Sequence, residues 1–159
     1  MVYNIWDLKA AELQSFSLIL IKKNMTIKNE IITKGFVTAG LMNMTALIFS
    51  RFFTNAVIPE YDPVVMSNFG LLMIVVWGLA YISVAKNYHH VKWLVGVFAA
   101  EKFIYAFTWT RWMLNNNVSD VFAKDTMAGI FYSIYGLNDW MFFIFFLLLF
   151  LRLIKSGNN

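Results

Sequence analysis

MAGIFYSIYGLNDWMFFIFFLLLFLRL, Met127 to Leu153, carries only two charges, Asp139 near its middle and Arg152 near its end. As a helix rising about 1.5 Å per residue, such a run is about 40 Å long, enough to cross the ~30 Å hydrocarbon core of a bilayer. Three further runs are of similar length: about Gly35 to Thr54, Ser67 to Ala85 and Val91 to Leu114. In lipid only helices and closed barrels satisfy their own backbone groups. Barrel strands alternate in pieces of about ten residues, and these runs do not. The expected fold is therefore all-α, an integral membrane four-helix bundle.

Composition leads to the same expectation. The chain has 159 residues, of which 60% are hydrophobic and 14% charged, with a mean hydropathy of +0.62. Soluble domains carry about 25% charged residues, and a chain this short cannot bury so much apolar surface within itself. No basic run interleaves with aromatics as nucleic-acid binding requires, so no nucleic-acid partner is expected. Cysteine is absent, which excludes disulfides, thiol catalysis and thiolate metal sites.

The connections are polar. IPEYDP (Ile58–Pro63) places two prolines around acidic residues and reads as a non-helical loop. KNYHH (Lys86–His90) is a short turn that makes the second and third spans antiparallel neighbours. LNNNVSDVFAKDT (Leu114–Thr126) is a longer loop, with Asp125 or Thr126 as cap of the last helix. Cations set the orientation. Lys9, Lys22, Lys23, Lys28, Lys34, Lys86, Lys92, Arg152 and Lys155 fall on one side, and only Arg51, Arg111 and Lys124 on the other. Both termini are thus expected in the cytoplasm, with IPEYDP facing outward.

Residues 1–24 contain a short apolar run but neither a full span nor a cleavage site of small residues. Two readings stay open: an interfacial amphipathic helix, or sequence preceding a start at Met25, where MTIKNE begins. Residues 25–159 form the expected four-span domain.

Counting residues inward from each span's end brings Asn43, Glu101, Lys102, Asn138 and Asp139 to one depth, with Trp77 and Tyr81 near it. Each charge at the bilayer centre costs about 2.5–3.5 kcal/mol on insertion scales. Three left unpaired would cost on the order of 8–10 kcal/mol, comparable to the stability of an ordinary domain. They must pair, lose their charge or line a wet cavity. Glu101, Tyr105, Thr108 and Trp112 share one helical stripe, and Tyr132, Tyr135, Asp139, Phe142 and Phe146 another. Gly129, Ser133 and Gly136 allow a close helix neighbour. Adjacent helical residues diverge by about 100°, so Glu101 and Lys102 point apart. The expected arrangement pairs Lys102 with Asp139 and leaves Glu101 facing a cavity lined by Tyr105, Tyr135 and Asn43.

Blander readings stand beside the sharper ones. The midplane cluster fits a structural network fixing helix order, a ligand or proton site, or a contact with another subunit. Arg51 and Arg111 near the outer ends fit snorkelling or pairing with Glu60 and Asp62, or capture of an anionic headgroup or carboxylate. His89 and His90 lack a second ligand at matching depth, so neither metal nor haem is expected. The tryptophans and tyrosines read mostly as belt and packing residues, and the methionines as core filler. No nucleophile elbow, zinc-protease motif or phosphate-cradling glycine loop is present, and no cofactor is expected.

The stretches FGLLMIVVWGLAYISVA, WLVGVFAAEKFIYAFTW and FYSIYGLNDWMFF resemble the small four-helix bacterial membrane proteins of the DoxX and BphX type. The resemblance runs from about Gly35 to Leu153 through span order, span length and the E-K-x-x-Y and Y-G-x-N-D stretches; residues 1–24 lie outside it. It implies a multi-pass bundle in the bacterial inner membrane. Its motifs would place function at Glu101, Lys102, Tyr105, Asn138 and Asp139.

The expected function is binding, and by extension passage, of a small apolar or amphipathic molecule. Glu101 is its polar anchor, Tyr105, Tyr135, Trp77 and Asn43 its surroundings, and Lys102–Asp139 the pair holding the helices. The alternative is a non-enzymatic accessory subunit of a larger membrane complex. Expected partners are membrane lipids, the small ligand, and a second copy or larger assembly.

Overall fold

The structure, a computed structural model, describes residues 5–156, with side chains before residue 28 described only in part. The described residues are helical and contain no strand: α1 (Ile5–Met44), α2 (Ala46–Phe49), α3 (Val57–Tyr61), α4 (Asn68–Val84), a 3-10 turn (Tyr88–His90), α5 (Lys92–Asn115), α6 (Val118–Lys124) and α7 (Thr126–Ser156). The protein is all-α. Two segments, Lys28–Phe49 and Thr126–Ser156, are long and apolar enough to cross a membrane, and Asn68–Val84 is a shorter apolar helix.

The chain divides into two compact units, Met1–Lys34 and Gly35–Asn159. In the first, Phe16, Leu18 and Leu20 are exposed, and Lys34 pairs with Glu30 one turn away at 2.8 Å. Exposed pairs of this kind contribute about 0–1 kcal/mol. Whether residues 1–24 segregate an apolar face depends on side chains outside the described ones.

The second unit carries the candidate site. In it α5 packs extensively against α7. Two aromatic clusters lie on either side of a polar layer. One gathers Phe36, Tyr81, Phe98 and Phe146, with ring centroids 4.7–6.3 Å apart. The other gathers Trp112, Tyr132, Phe131 and Tyr135, in which Trp112 and Tyr132 stack at 4.2 Å. Tyr132 Oη donates to the Ile58 carbonyl at 2.8 Å, and Trp112 Nε1 to that of Tyr61 at 3.0 Å, which ties α3 to the long helices.

Three local features depart from the sequence reading, each for a physical reason. Pro59 lies inside α3, where a helix's first turn leaves the missing N–H without consequence. The expected loop from Leu114 to Thr126 contains α6, whose start is capped by Asn117 Oδ1 accepting from Ser119 N at 3.0 Å. The first span does not continue smoothly to Thr54. The helix breaks at Thr45, and Arg51, Phe52 and Phe53 adopt φ of 49°, 55° and 67°. Left-handed conformation costs bulky residues about 1–2 kcal/mol each. Here it is held by Phe53 N donating to Ser50 Oγ at 3.1 Å and by the backbone bonds Phe52 N to Leu47 O and Asn55 N to Ser50 O.

Candidate functional site

Consecutive positions on α5 carry Glu101 and Lys102 toward different neighbours. Lys102 is 1% exposed; its ammonium donates to Asp139 Oδ1 of α7 at 2.5 Å and to Asn43 Oδ1 of α1 at 2.7 Å. Asn43 Nδ2 in turn donates to the Ile74 carbonyl of α4 at 3.0 Å. One lysine thus connects four helices. Glu101, also buried, turns to α4, where its Oε2 accepts from Tyr81 Oη. The Tyr81 ring lies 5.5 Å from the Lys102 ammonium, near enough for a cation–π contact. Tyr81 therefore bridges both halves of the layer.

Among the described residues, three buried side-chain polar atoms have no hydrogen-bond partner: Glu101 Oε1, Tyr135 Oη and Asn138 Oδ1. The last two belong to residues lining a crevice between the α1–α2 break, α4 and α7. About 40 Å³ of it admits the centre of a water-sized sphere, and its polar wall is Asn43, Thr45, Tyr135, Asn138 and Asp139. Met42, Phe49, Ile74, Phe131 and Ile134 form the apolar walls. Asn138 Nδ2 donates to Asp139 Oδ1 at 3.5 Å. Phe131 stacks on Tyr135 at 5.0 Å.

Of the residues singled out in the sequence, Asn43, Tyr135, Asn138 and Asp139 line this crevice, whereas Glu101, Lys102, Tyr105 and Trp77 do not. Asn43 bonds to Lys102 rather than facing Glu101. Trp77 is half-buried, edge-on to Phe98 at 6.2 Å, and Tyr105 is half-buried against the Trp112–Tyr135 cluster. Sequence reasoning put Tyr81 at the right depth but gave it no role. A lone tyrosine in an otherwise apolar span, level with a glutamate, was the available signal.

At the end holding the short helices, Arg51 pairs with Asp125 at 2.7 Å, and Glu60 is taken by Lys124. Asp62 Oδ1 accepts from Val65 N at 2.9 Å. Arg111 is exposed and makes no ion pair among the described residues; it borders an open groove with Tyr61, Asp62 and Asn115. His89 and His90 are exposed in their turn. Among the described residues no three His, Cys, Asp or Glu converge as metal ligands would.

Asp125 joins the α2–α3 connection to the start of α7. Its Oδ1 accepts from Ala128 N at 2.8 Å and from Asn55 Nδ2 at 3.0 Å, and its Oδ2 takes Arg51. The Ala128 N–H foremost, with Asn55 and Arg51, holds its carboxyl below the usual carboxylate range. A depressed folded pKa stabilises above the unfolded value, about 3.9, and that contribution is lost as pH falls through the folded value. Asp125→Ala should cost about 1–2 kcal/mol through the lost cap. Asp125→Asn, which keeps a cap acceptor, should melt below wild type at pH 6, with the gap narrowing below about pH 4. Thermal denaturation of both proteins across that range is the check; a gap independent of pH would exclude this role.

No protein family, curated protein or solved structure matches this chain.

Proposed function

We propose that the unit Gly35–Asn159 is a four-span membrane bundle with both chain termini in the cytoplasm of a bacterium. We further propose that it binds a small amphipathic molecule in the crevice beside Tyr135. Several observations support a lipid setting. The helices expose Phe69, Leu72, Val76 and Leu79 on α4, Val97, Phe103, Ile104 and Phe107 on α5, and Leu137, Met141, Ile144 and Leu148 on α7. Soluble monomers rarely expose contiguous apolar surface on this scale. The charges near the middle of α5 and α7 lie within: Glu101, Lys102 and Asp139 are each at most 6% exposed. At about 1.5 Å per residue, α5 reaches about 36 Å and α4 about 26 Å, near the thickness to be crossed. What sets α5 apart from an apolar span is its internal charge pair, which it turns inward.

The observation that carries the binding reading is a crevice of mostly apolar walls into which Asn43, Thr45, Tyr135, Asn138 and Asp139 bring polar side chains, two of them with unpartnered buried atoms, Tyr135 Oη and Asn138 Oδ1. Each unsatisfied buried group costs about 1–3 kcal/mol, and a ligand that bonds either recovers part of that. Apolar walls with a few convergent polar groups are the usual form of a small-molecule site. Met42 and Ile134, both partly exposed, stand at the opening, so an apolar molecule can enter from lipid. The accessory-subunit reading gains nothing from the charges, because Glu101 and Asp139 do not point outward.

The test is thermal stability of the purified protein across a panel of lipids and small aromatic compounds, beside Tyr135→Phe. A ligand at a hundred times its Kd should stabilise wild type by about 2.7 kcal/mol, and the variant clearly less. Without ligand the variant should match or exceed wild type, since it removes an unsatisfied hydroxyl. A panel in which nothing raises the melting temperature sinks the proposal.

A further inference from the structure

Resting on the membrane reading but not on the crevice, we infer that the end of the unit holding the Lys86–His90 turn is a docking surface for acidic phospholipids of the cytoplasmic leaflet. The two ends of this unit differ in charge. At the end with the short helices, Asp125 and Glu60 take up Arg51 and Lys124, which leaves Asp62 and Asp120 beside Arg111. At the other end stand Lys86, Lys92, Arg152 and Lys155. The sequence has no acidic residue from Pro63 to Ala100 or from Trp140 to Asn159. None of the four cations makes an ion pair among the described residues. Lys86, Arg152 and Lys155 are exposed, and Lys92 is half-exposed.

Contacts gather these residues from three elements. The Trp93 ring of α5 packs on Phe150 of α7 at 5.7 Å, which sets the first turn of α5 beside the last turns of α7. Burial pushes the Tyr88 hydroxyl above its ordinary pKa, and Arg152 lies close enough for its charge to offset part of that push. The turn, the start of α5 and the end of α7 therefore share one basic surface. Its surroundings suit a lipid. Trp93 and Leu151 are exposed apolar side chains beside the cations, and Leu151, Arg152 and Lys155 border one open groove. An acyl chain can lie against the apolar side chains while its phosphate meets the cations, and an indole settles at headgroup level. Each basic residue near an anionic membrane surface contributes about 1 kcal/mol. Flanking cations also set orientation as a chain inserts. That role ends with insertion, whereas a docking surface goes on selecting lipids around the folded protein.

The experiment holds the full chain in phosphatidylcholine nanodiscs with a trace of spin-labelled phosphatidylglycerol or spin-labelled phosphatidylcholine. Electron paramagnetic resonance reads the fraction of label slowed against the protein. At low salt phosphatidylglycerol should associate about fivefold more strongly, the fold-change that one basic residue at about 1 kcal/mol converts to. In ~1 M salt, where charges are screened beyond about 3 Å, the preference should fall to about twofold or less. Lys86→Gln with Lys92→Gln, and Arg152→Gln with Lys155→Gln, should each lower it. Each double variant keeps the other pair, and the lysines before Gly35, to set orientation. Arg111→Gln, at the opposite end, should leave the preference unchanged. Equal association of both lipids with wild type overturns the assignment and leaves the cations to an acidic soluble partner. A preference that survives high salt, that neither double variant lowers, or that disappears with Arg111→Gln overturns it as well. If neither labelled lipid is slowed at all, the chain does not sit in the bilayer and the membrane reading fails with it.

Discussion

Lys102→Met should destabilise the bundle by about 3–5 kcal/mol, the usual consequence of leaving a buried charge without its partner. The side chain is 1% exposed and its ammonium has two short bonds, to Asp139 at 2.5 Å and Asn43 at 2.7 Å. Methionine matches the length of the lysine stem, so packing changes little and the loss is electrostatic. Asp139→Leu should cost a similar amount for the mirror-image reason. The double variant discriminates: with both charges gone, an apolar pair of similar volume is often neutral or better. Asn43 Oδ1 then loses its donor at about 1–3 kcal/mol, which keeps the double variant below wild type while leaving it well above either single one. Equilibrium unfolding of all four proteins closes a double-mutant cycle, with an expected coupling of at least about 2 kcal/mol. Additive losses would mean the two charges do not depend on each other. That result would remove the basis for treating the polar layer as one network.

The positions of the long helices were legible because apolar runs of span length alternate with short polar segments. What stayed hidden is tertiary in origin. Nothing local marks Arg51, Phe52 and Phe53 for left-handed backbone, since all three are poor candidates for it. The turn depends on Ser50 within the segment and on Asp125, seventy residues or more away, holding Arg51 and Asn55. Depth arithmetic brought Asn43, Glu101, Lys102 and Asp139 to one level, because rise per residue is nearly constant in a helix. It could not say which neighbour lies on which side. The angle between Glu101 and Lys102 is a property of α5 alone. That α4 receives the first while α1 and α7 receive the second depends on the order of helices around the bundle, on which periodicity is silent. Hence Tyr81 had no assigned part, and Asn43 was placed beside the wrong partner.

Gly78→Ala and Gly40→Ala should each cost about 2–3 kcal/mol, and Gly96→Ala close to nothing. The contrast rests on what an added Cβ meets. At Gly40 it would stand 2.6 Å from the Gly78 carbonyl oxygen, and at Gly78 2.8 Å from the Gly40 carbonyl oxygen. These obstacles are backbone, so no rotamer change relieves them and the two helices must separate. At Gly96 the obstacle is the far edge of the Phe150 ring, at 2.8 Å. That ring belongs to a half-buried side chain that can turn away, and alanine's helix preference over glycine, up to about 1 kcal/mol, offsets the rest. Small residues at such crossings are what let helix backbones approach closely. This crossing also bears on the site. Asn43 lies one turn along from Gly40, and it donates to the carbonyl of Ile74, one turn before Gly78. Pushing α1 from α4 therefore lengthens the Asn43–Ile74 bond and draws Asn43 from Lys102. Gly78→Ala and Lys102→Met should for that reason be less than additive, because the first already weakens what the second removes. Stability measurements on the two single variants and their combination test this directly. Strict additivity would show that the close approach of α1 and α4 holds the helices together without positioning the polar layer.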